Sequence, residues 1–140
     1  MSIAAGRYVG IPYAERGASV HGCNCWGLVH LVLKEQFGVT TPDYAEHSGS
    51  EVLSNARAFQ EAAGSLTWLR VTHPRAGDCA LMTAMTDGER SRRVPGHVGI
   101  MIDSKTVLHV WEATAACLMP LDHARLRTRI LGFYRHRDLA

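Results

Sequence analysis

The sequence predicts an α+β domain in which N-terminal helices pack on an antiparallel sheet. Three observations predict it. Apolar residues recur at helical spacing between residues 25 and 63. From residue 78 onward they fall instead into short runs rich in branched and aromatic side chains. The helical segments come first and the strand segments follow, with no repeat, low-complexity tract or linker between them, so one domain is expected over residues 1–140.

Taken in order, residues 1–22 carry glycines at 6, 10, 17 and 22 together with Pro12, and are expected to be mostly loop. The first helix is expected over Cys25–Phe37, because Leu28, Val29, Val32 and Leu33 form one stripe and Gly38 is placed to end it. A loop through Pro42, Asp43 and Tyr44 follows. Ser48-Gly49-Ser50-Glu51 has the spacing of a capping box, and Val52, Ala56, Phe59 and Ala63 continue as a second helix stopped by Gly64. Strands are expected at 78–85, 97–103, 106–114, 116–121 and 129–136, with a tight turn at Asp103-Ser104-Lys105 and a polar, arginine-rich loop at 87–95.

Composition narrows the function. With 46% hydrophobic and 20% charged residues the chain can form a real core, yet its apolar stretches are far shorter than the roughly 20 residues of a membrane helix. No basic cluster followed by an apolar segment opens the chain, so synthesis in the cytoplasm without a signal peptide is expected. Net charge is +2, and the basic residues are arginines apart from Lys34 and Lys105. Arg125, Arg127 and Arg129 alternate ahead of Arg135 and Arg137, and are read as the solvated face of a strand. There is no zinc-finger spacing, RNA-binding aromatic signature or phosphate-binding glycine loop, so neither nucleic acid nor a membrane is the expected partner. Four cysteines in such a chain are not a disulfide framework; Cys79 and Cys117, in apolar runs, are expected in the core.

Cys25 is different because it opens a helix. Unpaired N–H groups and the positive end of the helix dipole favour a thiolate there, the form that attacks a carbonyl. Its base is sought in the strand half. His97 lies in Gly96-His97-Val98-Gly99-Ile100, where glycines allow another element to approach, and His109 lies in the next strand. A turn centred on Ser104 pairs the two histidines across the hairpin as near neighbours on one face. The arrangement points to Cys25 as nucleophile, His97 as base and His109 as the group that orients His97. The remaining histidines show no comparable placement. His21, Cys23 and Cys25 do not have a standard zinc spacing, and no metal or cofactor is expected.

Gly22-Cys23-Asn24-Cys25-Trp26-Gly27-Leu28-Val29, Gly77-Asp78, Gly96-His97-Val98-Gly99-Ile100 and His109 together resemble the NlpC-type cell-wall peptidases, which are papain-like cysteine enzymes. The family pattern has Asp-Cys-Ser-Gly-Leu-Val at a helix start, Gly-Asp before a strand, His-Val-Gly-Ile, and a polar residue twelve positions later, where His109 stands. A tyrosine twelve residues before the nucleophile corresponds to Tyr13. The resemblance implies a papain-like fold and hydrolysis of an amide bond in peptidoglycan stem peptides, usually between γ-D-glutamate and a diamino acid. Asn24 and Trp26 stand where the family has Asp and Ser, so the resemblance makes them, with Tyr13, the candidate substrate-binding or oxyanion residues. The Cys-Trp-Gly-Leu-Val form, Pro42-Asp43-Tyr44 and Gly132-Phe133-Tyr134-Arg135 are similar to the phage-encoded branch. That implies a place in a phage, prophage or gene-transfer particle tail, with other tail proteins as partners. The alternative is a structural tail-assembly protein with little or no catalysis.

Overall fold

The computed structural model describes residues 2–41, 61–83, 95–112 and 114–140. A small hairpin, β1 (Ala18–Ser19) and β2 (Gly22–Cys23), leads into helix α1 (Cys25–Phe37). Six strands follow: β3 (Trp68–Val71), β4 (Cys79–Thr83), β5 (Pro95–Met101), β6 (Thr106–His109), β7 (Cys117–Pro120) and β8 (Ile130–His136). They form one antiparallel sheet in the order β3-β8-β4-β5-β6-β7. The expected α+β arrangement, a helix packed on an antiparallel sheet, is the one observed.

Helix α1 has the expected bounds, and both ends have a local cause. Asn24 accepts the Gly27 N–H on its Oδ1 at 2.8 Å, satisfying one of the donors a helix start leaves open. Gly38 takes the left-handed conformation, at φ 67°, and its N–H turns back to the Leu33 and Lys34 carbonyls. Leu28, Val29, Val32 and Leu33 pack with Leu81, Val98, Ile100 and Leu108 on one face of the sheet. Ala80, Met82, Met101 and Val107 alternate onto the other face, where they pack with Leu126. Strand β4 is therefore buried on both faces, which is why its sequence reads as a continuous apolar run. A Cβ on Gly27 would collide with the Gly17 carbonyl, so glycine there lets α1 start against the β1–β2 hairpin.

Several expectations are corrected. The N-terminal stretch contains β1 and β2, strands too short for a periodic signal. Strand β3 was not foreseen: it is a four-residue edge strand with Leu69 and Arg70 exposed, and pairing with β8 defines it. The strand expected over 106–114 stops at His109, because Trp111 and Thr114 close a turn in which the Thr114 hydroxyl accepts the Trp111 N–H at 3.1 Å. Arg125, Arg127 and Arg129 lie in the turns preceding β8 and not on a strand face. Cys79 is in the core as expected, whereas Cys117, on the outermost strand, is only half-buried. Of the second helix, 61–63 is helical and ends before Gly64 as expected. Residues 48–60 of that helix, the Pro42-Asp43-Tyr44 loop, the strand end at 84–85 and residues 87–94 of the arginine-rich loop lie outside the described residues. No helix among the described residues is long and apolar enough to cross a membrane.

One end of the sheet's central strands, where β4 starts and β5 finishes, is tied by charge and turn chemistry. Asp78, just before β4, accepts from Arg135 Nε and Nη2 of β8 at 2.8 Å each, and from the Arg75 N–H at 2.8 Å. Asp78 is 1% exposed, so this two-bonded ion pair is taken out of water. Between β5 and β6, Asp103 Oδ1 accepts the Lys105 and Thr106 N–H groups at 2.8 Å, forming the expected turn at residues 103–105.

Candidate active site

The strand register sets the two histidines. Ile100 faces Leu108 and Met101 faces Val107, so His109 falls opposite Gly99, one alternation step from His97. The two rings are thus diagonal neighbours on one face, as the turn centred on Ser104 implies. Gly99 makes the diagonal contact possible: a Cβ there would stand 2.5 Å from Val107 Cγ2 and 3.0 Å from His109 Cβ. Across that gap His97 Nε2 and His109 Nδ1 approach to 2.9 Å, with both rings buried.

Cys25 comes to the same strand from the helix side. Its sulfur is met by the backbone N–H groups of Val98, Trp26 and Cys25 itself. Two of these are first-turn donors that the helix cannot satisfy, and the third belongs to the residue after His97. The structure therefore brings Cys25 against β5 at Val98, the residue after His97, and no hydrogen bond joins its sulfur to the His97 ring among the described residues. Such contacts are commonly long before substrate binds. With Nε2 held by His109, Nδ1 is the His97 nitrogen left to receive a proton.

Burial governs the charge state. It pushes the Cys25 thiol up to about 11, against the opposing pull of the three N–H groups. Burial, then the His109 and Arg129 charges, drive His97 well below the usual imidazole value. Burial, followed by the His123 charge, brings His109 down to about 4. The expected resting thiolate is corrected accordingly: desolvation outweighs the helix N-terminus, and thiol and rings rest neutral near pH 7. A neutral His97 with its lone pair on Nδ1 carries its proton on Nε2 and donates it to His109 Nδ1. His109 must then hold its proton on Nε2, a buried atom with no hydrogen-bond partner among the described residues.

The other sequence candidates are placed as follows. Tyr13 is half-buried and bridges to Cys23, beside the nucleophile. Asn24 is buried, with its side chain engaged in capping. Trp26 is buried in the core with its ring 6.3 Å from that of Trp68. His21 is exposed, whereas Cys23 is fully buried and its thiol is pushed up to about 12 by burial and the neighbouring Cys25 charge. Sequence reasoning missed Trp111, whose ring lies 5.0 Å from His109 and 6.3 Å from His97. Its position two residues after His109 was the available signal, since alternate residues share a face.

Comparison with known proteins follows the same residues. The model of the NlpC/P60 family matches residues 10–135, nearly the whole chain and every candidate site position. The chain belongs to the NlpC/P60 family. Solved NlpC/P60 structures share its fold. The NlpC/P60 domain of the peptidoglycan hydrolase SagA aligns with a TM-score of 0.57 at 20% identity, covering 94% of this chain and 91% of that one. An NlpC/P60 protein from Bacillus cereus ATCC 10987 aligns with a TM-score of 0.63 at 20% identity over 97% of this chain. A lipoprotein-like NlpC/P60 protein from Staphylococcus aureus Mu50 gives 0.63 at 18% identity over 94%. This chain spans 41% and 38% of the length of those last two proteins. No curated protein shows significant similarity in sequence.

Proposed function

We propose that this NlpC/P60 chain is a cysteine peptidase that hydrolyses an amide bond in peptidoglycan stem peptides. The observation that carries the reading is the convergence on β5. Cys25 is set at a helix start against the Val98 N–H, and the adjacent His97 is tied through Nε2 to His109 at 2.9 Å. Family membership and the hydrolase named for the SagA domain supply the substrate class.

In the first step the Cys25 sulfur bonds to the substrate carbonyl carbon while the thiol proton passes to His97 Nδ1. The carbonyl oxygen becomes an oxyanion, for which the first-turn Cys25 N–H is a donor and the Tyr13 hydroxyl the second donor or a substrate contact. Collapse breaks the carbon–nitrogen bond, and His97 returns the proton to the leaving amine. Water then attacks the thioester, again giving a proton to His97, and the acid product leaves with the thiol restored. His109 accepts the Nε2–H throughout and stabilises the imidazolium as it forms. Because thiol and imidazole rest neutral, the proton transfer accompanies attack.

The bond we assign is the one joining γ-D-glutamate to the diamino acid, and the setting we assign is the tail of a phage, prophage or gene-transfer particle. Cys25-Trp26-Gly27-Leu28-Val29 and the closing Gly132-Phe133-Tyr134-Arg135 support that setting. Mass spectrometry of muropeptides before and after digestion tests activity and bond identity together. Wild type should yield the γ-D-glutamyl cleavage products and Cys25→Ala, folded, should yield none. Full cleavage by Cys25→Ala would overturn the assignment of the nucleophile.

A further inference from the structure

We infer that Trp111 is a positioning residue for the histidine pair, its indole holding His109 in the orientation that offers Nδ1 to His97. The inference rests on the catalytic reading of Cys25, His97 and His109 and adds a residue to it. Four observations carry it. The indole lies 5.0 Å from the His109 ring at 38° and 6.3 Å from the His97 ring at 84°, so one side chain packs on both members of the pair. The chain leaves β6 at His109 and would be free to carry Trp111 away, but the turn to Thr114 fixes it. The Thr114 hydroxyl accepts the Trp111 N–H and donates to the Trp111 carbonyl, each at 3.1 Å, and the Thr114 N–H reaches that carbonyl at 2.9 Å. Arg125, from the turns before β8, lies over the indole with its guanidinium carbon 5.7 Å from the ring centroid, within cation–π range. Lastly, His109 Nε2 is buried without a hydrogen-bond partner among the described residues, so no hydrogen bond at that nitrogen fixes the ring. Packing must do what a second hydrogen bond does in other triads, and Trp111 is the aromatic ring packed on it.

Orientation has a chemical consequence. Rotation of His109 that withdrew Nδ1 would leave the His97 Nε2–H without its acceptor, and the imidazolium formed during attack would lose its stabilising contact. The groups that bear on the titration of this stack are His123 beside His109, Arg129 beside His97, Arg125 on the indole, and Cys25 from the helix side.

The test compares wild type with Trp111→Phe and Trp111→Leu by two readouts, turnover of a soluble stem peptide and the pH dependence of Cys25 alkylation by iodoacetamide, mapped by mass spectrometry. Trp111→Phe keeps a ring and should stay within about threefold of wild type in kcat. Trp111→Leu should lower kcat by about tenfold or more at nearly unchanged KM, as expected when transition-state stabilisation is lost. Its acid limb should move up by about half a pH unit or more in both profiles, because water reaches the rings. Should Trp111→Leu not fold, Trp111→Met carries the same expectation. An unchanged kcat and acid limb in the folded variant, or a loss confined to KM, would overturn the inference. Wild type that is alkylated at Cys25 with an acid limb yet cleaves no stem peptide would overturn the proposed substrate, while the alkylation profiles would still decide the role of Trp111.

Discussion

Replacing His109 by a side chain that cannot titrate should flatten the acid side of the stability curve. His109 is fully buried and held down to about 4, whereas an unfolded histidine titrates near 6.5. Below about 6.5 the unfolded ring takes a proton that the native ring refuses, so the unfolded state binds more protons and stability falls as pH falls toward about 4. Worked through that linkage, His109 alone removes about 2 kcal/mol between about pH 7.5 and about pH 5, and about 3 kcal/mol by about pH 4. His97, displaced in the same direction, adds to the loss in wild type and variant alike. The His109→Gln side chain retains an oxygen able to accept the His97 Nε2–H. Urea unfolding of both proteins at about pH 7.5 and about pH 5 gives the comparison, at pH values where most carboxylates remain charged. The wild-type loss should exceed that of the variant by about 2 kcal/mol. A difference under about 0.5 kcal/mol would mean that the native ring protonates freely, and would refute burial as the force that keeps it neutral.

Further outcomes follow from the same contacts. Gly99→Ala places a methyl 2.5 Å from Val107 Cγ2 and should cost about 1–3 kcal/mol in urea unfolding while lowering turnover by displacing His109. Asp78→Asn removes the charge that the Arg135 guanidinium pairs with, and should destabilise by about 3 kcal/mol in the same assay. Asn24→Ala deletes the cap on Gly27 and should cost about 1 kcal/mol. The pH–rate profile of kcat/KM should show an acid limb below about 6.5, set by protonation of His97, and an alkaline limb toward about 11, set by ionisation of Cys25. In that assay His97→Gln should be inactive, and His109→Asn should keep more activity than His109→Ala. A fully active His97→Gln beside an inactive His109→Asn would exchange the two roles.

What the sequence determined by itself is local. Helix α1 was legible to the residue because its signals, one apolar stripe and a glycine at 38 placed to end it, act within a few positions of each other; the Asn24 cap emerged only with the structure. The turn at Asp103 and the central strands were legible for the same reason, and so were Cys25, His97 and His109 as a set, through the helix start and the hairpin between the strands. Tertiary structure decided what depends on distant partners. Strand β3 exists because β8 lies beside it, and the strand after residue 106 ends where Thr114 turns the chain. Asp78 found Arg135 fifty-seven residues away, and Arg125 left the strand face expected of it to lie on Trp111. The protonation state followed the same rule. Helix position argues for a thiolate at Cys25, but only the packed structure shows what surrounds this half-buried residue, and desolvation, a property of everything around a group, is the larger effect on its thiol.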